Sequence, residues 1–205
     1  MKKLLCLVLV LSLCLFGLAS CGGSQNDAPK EEANRLSTSV ANAMSSGSYT
    51  MTFNTVITDD EQKYDTTVEL VKDKENSHFV VTSNAGKFSI LELNDTTYMI
   101  DDFEKAYMKI DLDDIMDHNP AIDVTDDKLV FAESGSEDFN GSSMDFERYT
   151  IDEDEMITFY FSGKTLKGIK INDEDQDQTL EIIKFSPDVD KSIFALPEGY
   201  KEMKY

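Results

Sequence analysis

Few side chains in this chain have the type and spacing for covalent chemistry. The two histidines, His78 and His118, stand one in an alternating apolar run and one beside Asn119-Pro120. Each reads as an incidental polar residue. No serine sits on a nucleophile elbow and no free cysteine pairs with a histidine, so neither a Ser/His/Asp nor a Cys/His set can be assembled. Gly163-Lys164-Thr165 mimics the tail of a phosphate loop, but that loop needs glycine where Thr158 stands, and the surroundings read as a hairpin. Asp173-Glu174-Asp175-Gln176-Asp177 alternates like the start of a calcium loop. It lacks the glycine at the sixth position and the glutamate at the twelfth, and reads better as a solvated hairpin tip. Asp111, Asp113, Asp114 and Asp117 could gather a hard cation through oxygen. The remaining carboxylates are too many to nominate an acid and a base. The expectation is a protein that is not an enzyme, with no cofactor and no metal centre.

Cys21 is different, because its surroundings specify a reaction. Lys2 and Lys3 precede an apolar run from Leu4 to Phe16 broken only by Ser12, and small residues lead into Leu18-Ala19-Ser20-Cys21. About a dozen apolar residues cannot cross a hydrocarbon core that needs roughly 20. The segment reads as a secretory leader with a small-residue cleavage site. Leu-Ala-Ser-Cys resembles the lipobox of bacterial lipoproteins. That resemblance implies diacylglyceryl transfer to the Cys21 thiol, then cleavage between Ser20 and Cys21. Two or more acyl chains anchor stably where one is marginal, at about 0.8 kcal/mol per buried CH₂. Cys6 and Cys14 leave with the leader, so no disulfide or thiol nucleophile remains. The expected address is the extracytoplasmic face of the cell membrane.

Residues 1–20 form the expected signal peptide, 21–28 a lipidated tether and 29–205 a single domain. A domain of that length buries about 70% of its unfolded surface and needs no covalent staple. The formal charge is −21, and it becomes more negative once Lys2 and Lys3 are removed. Nucleic acid is excluded as a partner, because affinity for it comes from neutralising phosphates with Lys and Arg. An anionic bilayer would repel the same surface. The acidity suits solubility and spacing from the membrane, or a cationic partner.

Residues 29–46 have the spacing of a helix. Asp27 and Pro29 suit its start, Leu36, Val40 and Met44 recur every fourth residue beside Ala33 and Ala43, and Ser45-Ser46-Gly47 ends it. From Ser48 the period becomes two. Alternating runs over 48–57, 64–70, 77–83, 87–93, 96–100 and 105–110 are separated by short polar turns, which predicts an antiparallel meander with one buried face. The stretch 111–128 interrupts it, with Leu112, Ile115 and Met116 fitting a short central helix that is either a lid or a connection. The meander resumes over 129–134, 143–152, 156–162, 165–172 and 178–186, with a turn signal at Asn140-Gly141. About eleven strands are too many for a flat sheet burying one face, so the sheet must curl.

The C-terminal run Val189-Asp190-Lys191-Ser192-Ile193-Phe194-Ala195-Leu196-Pro197-Glu198-Gly199-Tyr200 resembles the close of the lipoprotein-carrier superfamily, the LolA/LolB-like fold. The hairpin with Asn94-Asp95-Thr96-Thr97-Tyr98-Met99-Ile100 and Lys105-Ala106-Tyr107 is similar to that group's, as is the opening helix leading into a tyrosine-bearing strand. The resemblance implies a mainly β (α+β) half-open antiparallel barrel whose concave apolar face is covered by helices. It also implies binding of lipid chains or lipoproteins, or sensing in the envelope.

Tyr49, Met51, Phe53, Tyr64, Val68, Leu70, Phe79, Val81, Phe88, Ile90, Tyr98 and Ile100 are expected on one side of the curled sheet, with Phe159 and Phe161 lining its second half. They form either a filled core or a residual groove for a lipid or other apolar ligand. The alternative function is an envelope sensor or protein-interaction module using the acidic outer surface, with another envelope protein as partner.

Overall fold

A computed structural model describes residues 35–59, 62–84, 86–110, 129–150, 155–172 and 177–203. The leader, Cys21 and the tether lie outside the described residues. So do the central helix expected over 111–128, with its aspartates and His118, and the acidic stretch 173–176.

Alternation in the sequence becomes strands joined by tight turns. β1 (Ser48–Asp59), β2 (Gln62–Asp73), β3 (Asn76–Ser83), β4 (Gly86–Leu93), β5 (Thr96–Asp101) and β6 (Ala106–Ile110) make a first meander. β7 (Val130–Phe139), β8 (Ser142–Thr150), β9 (Met156–Ser162), β10 (Thr165–Asn172) and β11 (Asp177–Ser186) make a second. Asn94-Asp95 and Asn140-Gly141 both hold positive φ at both turn positions, the arrangement whose twist matches the flanking strands in a two-residue hairpin. The meanders join where β1 pairs with β11. Spatial order is β12-β6-β5-β4-β3-β2-β1-β11-β10-β9-β8-β7, a twelve-stranded sheet that is curled but not closed. Register shifts in the β1–β11, β9–β10 and β7–β8 ladders add local bend, as extra residues on one strand do.

The expected mainly β open half-barrel is therefore present, with one strand more than the alternation indicated. β12 (Lys201–Glu202) pairs parallel with β6, and parallel neighbours require a crossover. Residues 187–200 supply it. The Thr50 hydroxyl donates to the Asp188 carbonyl, Lys191 pairs with Asp73 at 2.6 Å, and the Tyr200 hydroxyl donates to Asp102. Thr50 and Asp73 belong to the set of residues facing away from the helix, so this C-terminal strap crosses the outer face.

The helix is shorter than its stripe suggested. α1 spans Thr38–Ser45, and residues 35–37 form a turn, so no continuous helix runs from 29 to 46. The physical reason is a distant competitor. The Leu36 and Ser37 amides donate to the two oxygens of Glu147 on β8, at 2.7 and 3.0 Å, which fixes the helix start there. Gly47, at φ 68°, stops the other end in the left-handed conformation. Val40, Ala43 and Met44 face the sheet and are buried, with Leu36 packed beside them.

Candidate functional site

In an antiparallel ladder directly paired residues share a face, so the pairings sort every side chain. One row on the helix-covered inner face runs Met51, Leu70, Phe79, Ile90, Met99 and Met108 across β1 to β6. A second runs Tyr49, Lys72, Ser77, Glu92, Thr97 and Ile110. A third contains Phe53, Val68, Val81 and Phe88. On the other meander Ile182, Leu180, Ile169, Phe159, Phe161 and Ile157 belong to the same core.

Most of the residues expected to line the concave face do face inward together, but they are core. Tyr49, Met51, Phe53, Val68, Leu70, Phe79, Val81, Ile90, Phe159 and Phe161 are all buried in one cluster with α1. Met51, Phe53, Val68, Leu70 and Phe161 are 0% exposed, so the centre of the face is filled by the chain itself. Burial pushes the Tyr49 phenol well above its ordinary value. Tyr64 and Phe88 are on the same face but half-buried at its margin, the Tyr64 hydroxyl donating to Gln62.

Tyr98 and Ile100 are a correction. Tyr98 pairs with Leu91 and Ile100 with Ser89, which places both on the outer face. The reason is parity. Each two-residue turn exchanges odd for even residue numbers on a given face, so the inward residues of β5 are Thr97 and Met99. Ile100 and Leu91 are nevertheless buried, at 2% and 0%, on the face that the C-terminal strap crosses.

The same pairings identify inward residues that apolarity alone did not select. Met99, Met108 and Ile110 are half-buried on the inner face at its β5–β6 end, next to Phe88 and Ile90. Lys72 is also inward and half-buried. Its ammonium is held below the ordinary lysine value by burial, an effect that Glu92 opposes. Glu147 is 5% exposed and serves as the anchor of the helix start. The Ser37 and Tyr149 hydroxyls lie 2.6 Å apart, and the Tyr149 hydroxyl also donates to Glu147. Arg35 stacks on Phe131 at 3.9 Å from the ring centre, a cation–π contact.

The outer face carries a separate polar set. Arg148 pairs with Glu133 and Glu137, its Nε donates to Thr158, and its guanidinium lies 4.8 Å from the Phe146 ring centre. The Tyr160 hydroxyl donates to Glu137 at 2.6 Å. Burial, then that hydrogen bond, pushes its phenol up to about 12. Phe139 stacks on Tyr160 over Gly168. Gly163-Lys164-Thr165 forms the β9–β10 hairpin turn with Gly163 at φ 62°. That is hairpin geometry, as the sequence indicated. His78 lies in β3, half-buried on the outer face. Among the described residues no three His, Cys, Asp or Glu side chains gather as a metal set.

No family model matches the chain, and no curated protein matches it. Among solved structures it is similar to an uncharacterized conserved protein from Thermus thermophilus, with 9% identity over 84% of this chain and 98% of that one and a TM-score of 0.48. It is also similar to a DUF1329 family protein from Desulfovibrio piger, with 9% identity over 82% of this chain and 98% of that one and a TM-score of 0.34. Likenesses of this size carry no function across.

Proposed function

We propose that this chain is a membrane-anchored extracytoplasmic lipoprotein of LolA/LolB-like kind. It acts without catalysis and binds a lipid or other apolar ligand at the β4–β6 end of its inner face. The observation that carries this reading is the set Phe88, Met99, Met108 and Ile110, apolar and half-buried at one end of the inner face where its centre is filled by the core. Methionines suit such a place because their unbranched, polarizable side chains adapt to irregular apolar shapes. Acyl chains on Cys21 hold the domain beside the bilayer that supplies the ligand. The reading narrows the concave site to one end, since the side chains at the centre are occupied by one another.

Displacement of a fluorescent fatty acid by unlabelled fatty acid tests it, alongside native mass spectrometry of the purified protein. Met99→Glu together with Met108→Glu should weaken binding by at least about tenfold, the equivalent of 1.4 kcal/mol, because an acyl chain would then desolvate carboxylates. Recovery free of lipid, together with no displacement, overturns the proposal. Affinity unchanged in the double variant overturns the assignment to this end of the face.

A further inference from the structure

We infer that the free edge of β7 is a strand-addition site for an extended, basic segment of a partner protein. The inference goes beyond the apolar-ligand reading and does not depend on it.

An open sheet ends in two edges, and the two ends here are unlike. At one, β12 is only Lys201 and Glu202 long, and the Lys201 and Met203 amides donate to the Lys105 and Tyr107 carbonyls. At the other, β7 runs for ten residues, Val130–Phe139, and among the described residues it pairs with β8 alone. A long edge strand displays unpaired N–H and C=O groups that template another strand, and proteins ordinarily blunt it with charged side chains, proline, bulges or brevity. β7 contains no lysine, arginine or proline; its charges are all acidic, and its bulge, between Phe131 and Glu133, leaves the run 133–139 regular.

Its bonding groups can be placed individually. In a two-residue hairpin the residues flanking the turn form a hydrogen-bonded pair, and bonded and non-bonded pairs then alternate. Phe139↔Ser142 flanks Asn140-Gly141, so Glu137↔Met144, Gly135↔Phe146 and Glu133↔Arg148 are bonded pairs. The amides and carbonyls of Ser134, Ser136 and Asp138 therefore point away from β8, toward the free edge. Ser134, Gly135 and Ser136 are small and exposed, which leaves room for a backbone to approach.

Charge selects the occupant. Glu133, Glu137 and Asp138 lie on β7 and Asp145 stands opposite Ser136. Of the two arginines described beside this strand, Arg148 is already engaged by Glu133 and Glu137 and Arg35 stacks on Phe131. A second copy docking β7 on β7 would oppose these acids to one another, and each chain carries −21. An incoming strand with lysine or arginine on alternate positions meets complementary charge, with main-chain bonds giving affinity and alternate side chains giving selection.

The test uses the whole domain and a short synthetic peptide alternating lysine with valine and threonine. Hydrogen exchange should slow about tenfold or more at Ser134, Ser136 and Asp138 on adding the peptide, and binding should weaken as salt screens the charges. Ser136→Pro removes one outward amide without touching the β8 ladder and should abolish the protection, whereas Ser136→Ala should retain it. If the proline variant does not fold, a peptide N-methylated at alternate residues answers the same question on the unaltered protein and should not protect. Four results overturn the inference: those three amides already protected in the free domain, protection located on another strand, equal binding of a glutamate-for-lysine peptide, or a dimer formed through β7.

Discussion

Glu147 shows how one side chain sets an element's boundary from more than a hundred residues away. Its two oxygens accept the Leu36 and Ser37 amides, groups that would otherwise be orphaned at the helix start. Hydrogen bonds to a charged group contribute about 1.5–3 kcal/mol, and an unsatisfied buried amide costs about 1–3 kcal/mol. Glu147→Ala should therefore destabilise the domain by about 2–4 kcal/mol in urea unfolding, with Glu147→Gln losing less. Gly168 is a second such position, because a Cβ there would lie 2.2 Å from the Phe139 ring. Gly168→Ala should cost about 1–3 kcal/mol by overpacking, and a smaller residue at Phe139 should recover part of that loss in a double-mutant cycle. His78 titrates the other way from a paired histidine. Burial, then Lys87, holds it below its ordinary 6.5, so the unfolded chain takes up the proton first. The stability it contributes is full above about 6.5 and is lost as pH falls from there toward the folded value. His78→Gln should flatten the decline of Tm as pH falls below about 6.5.

At the scale of elements, what could be read from the sequence is what local chemistry decides. Alternation gave away the strands, and polar pairs such as Asn94-Asp95 and Asn140-Gly141 gave away the turns, because both depend on neighbours in sequence. Tyr98 and Ile100 are apolar but lie on the outer face. Counting through the connections, each of an even number of residues, selects Met99 and Met108 instead. β12 was beyond reach, since two residues carry no period and their pairing depends on Ala106 and Tyr107. The helix boundary was hidden for the same reason, its determinant lying on β8. The strap between β11 and β12 has its own signature. Tyr200 and Lys87 hold Asp102 below the usual carboxylate range, and Lys191 and Ser48 do the same for Asp73. Deleting residues 187–205 should expose Leu91 and Ile100 and raise binding of an apolar dye such as ANS, without loss of the β1–β5 amide protection.

For the whole molecule, the core and the anchor belong to different parts of the chain. The domain's core is built from the described sheet and α1, while the proposed membrane attachment rests on Cys21 alone. Cys21→Ala should release the protein from the membrane fraction and leave its unfolding midpoint unchanged. That the apolar residues of β1 to β4 share one face was legible in this sense, because alternation and pairing decide it. Whether they lined a groove or filled a core was not, because that depends on how far the sheet curls and where α1 lies.

The seam between β1 and β11 also governs the order of assembly. It brings together residues such as Thr55 and Thr179, 124 positions apart. At a synthesis rate of about 5–20 residues per second, β1 waits on the order of ten seconds for its second neighbour. Until β11 arrives the first meander has a bare flank along β1, one of its two twelve-residue strands. Refolding should accordingly be slow for a domain of this size, in milliseconds to seconds, and a nascent chain halted before β11 should be the aggregation-prone species.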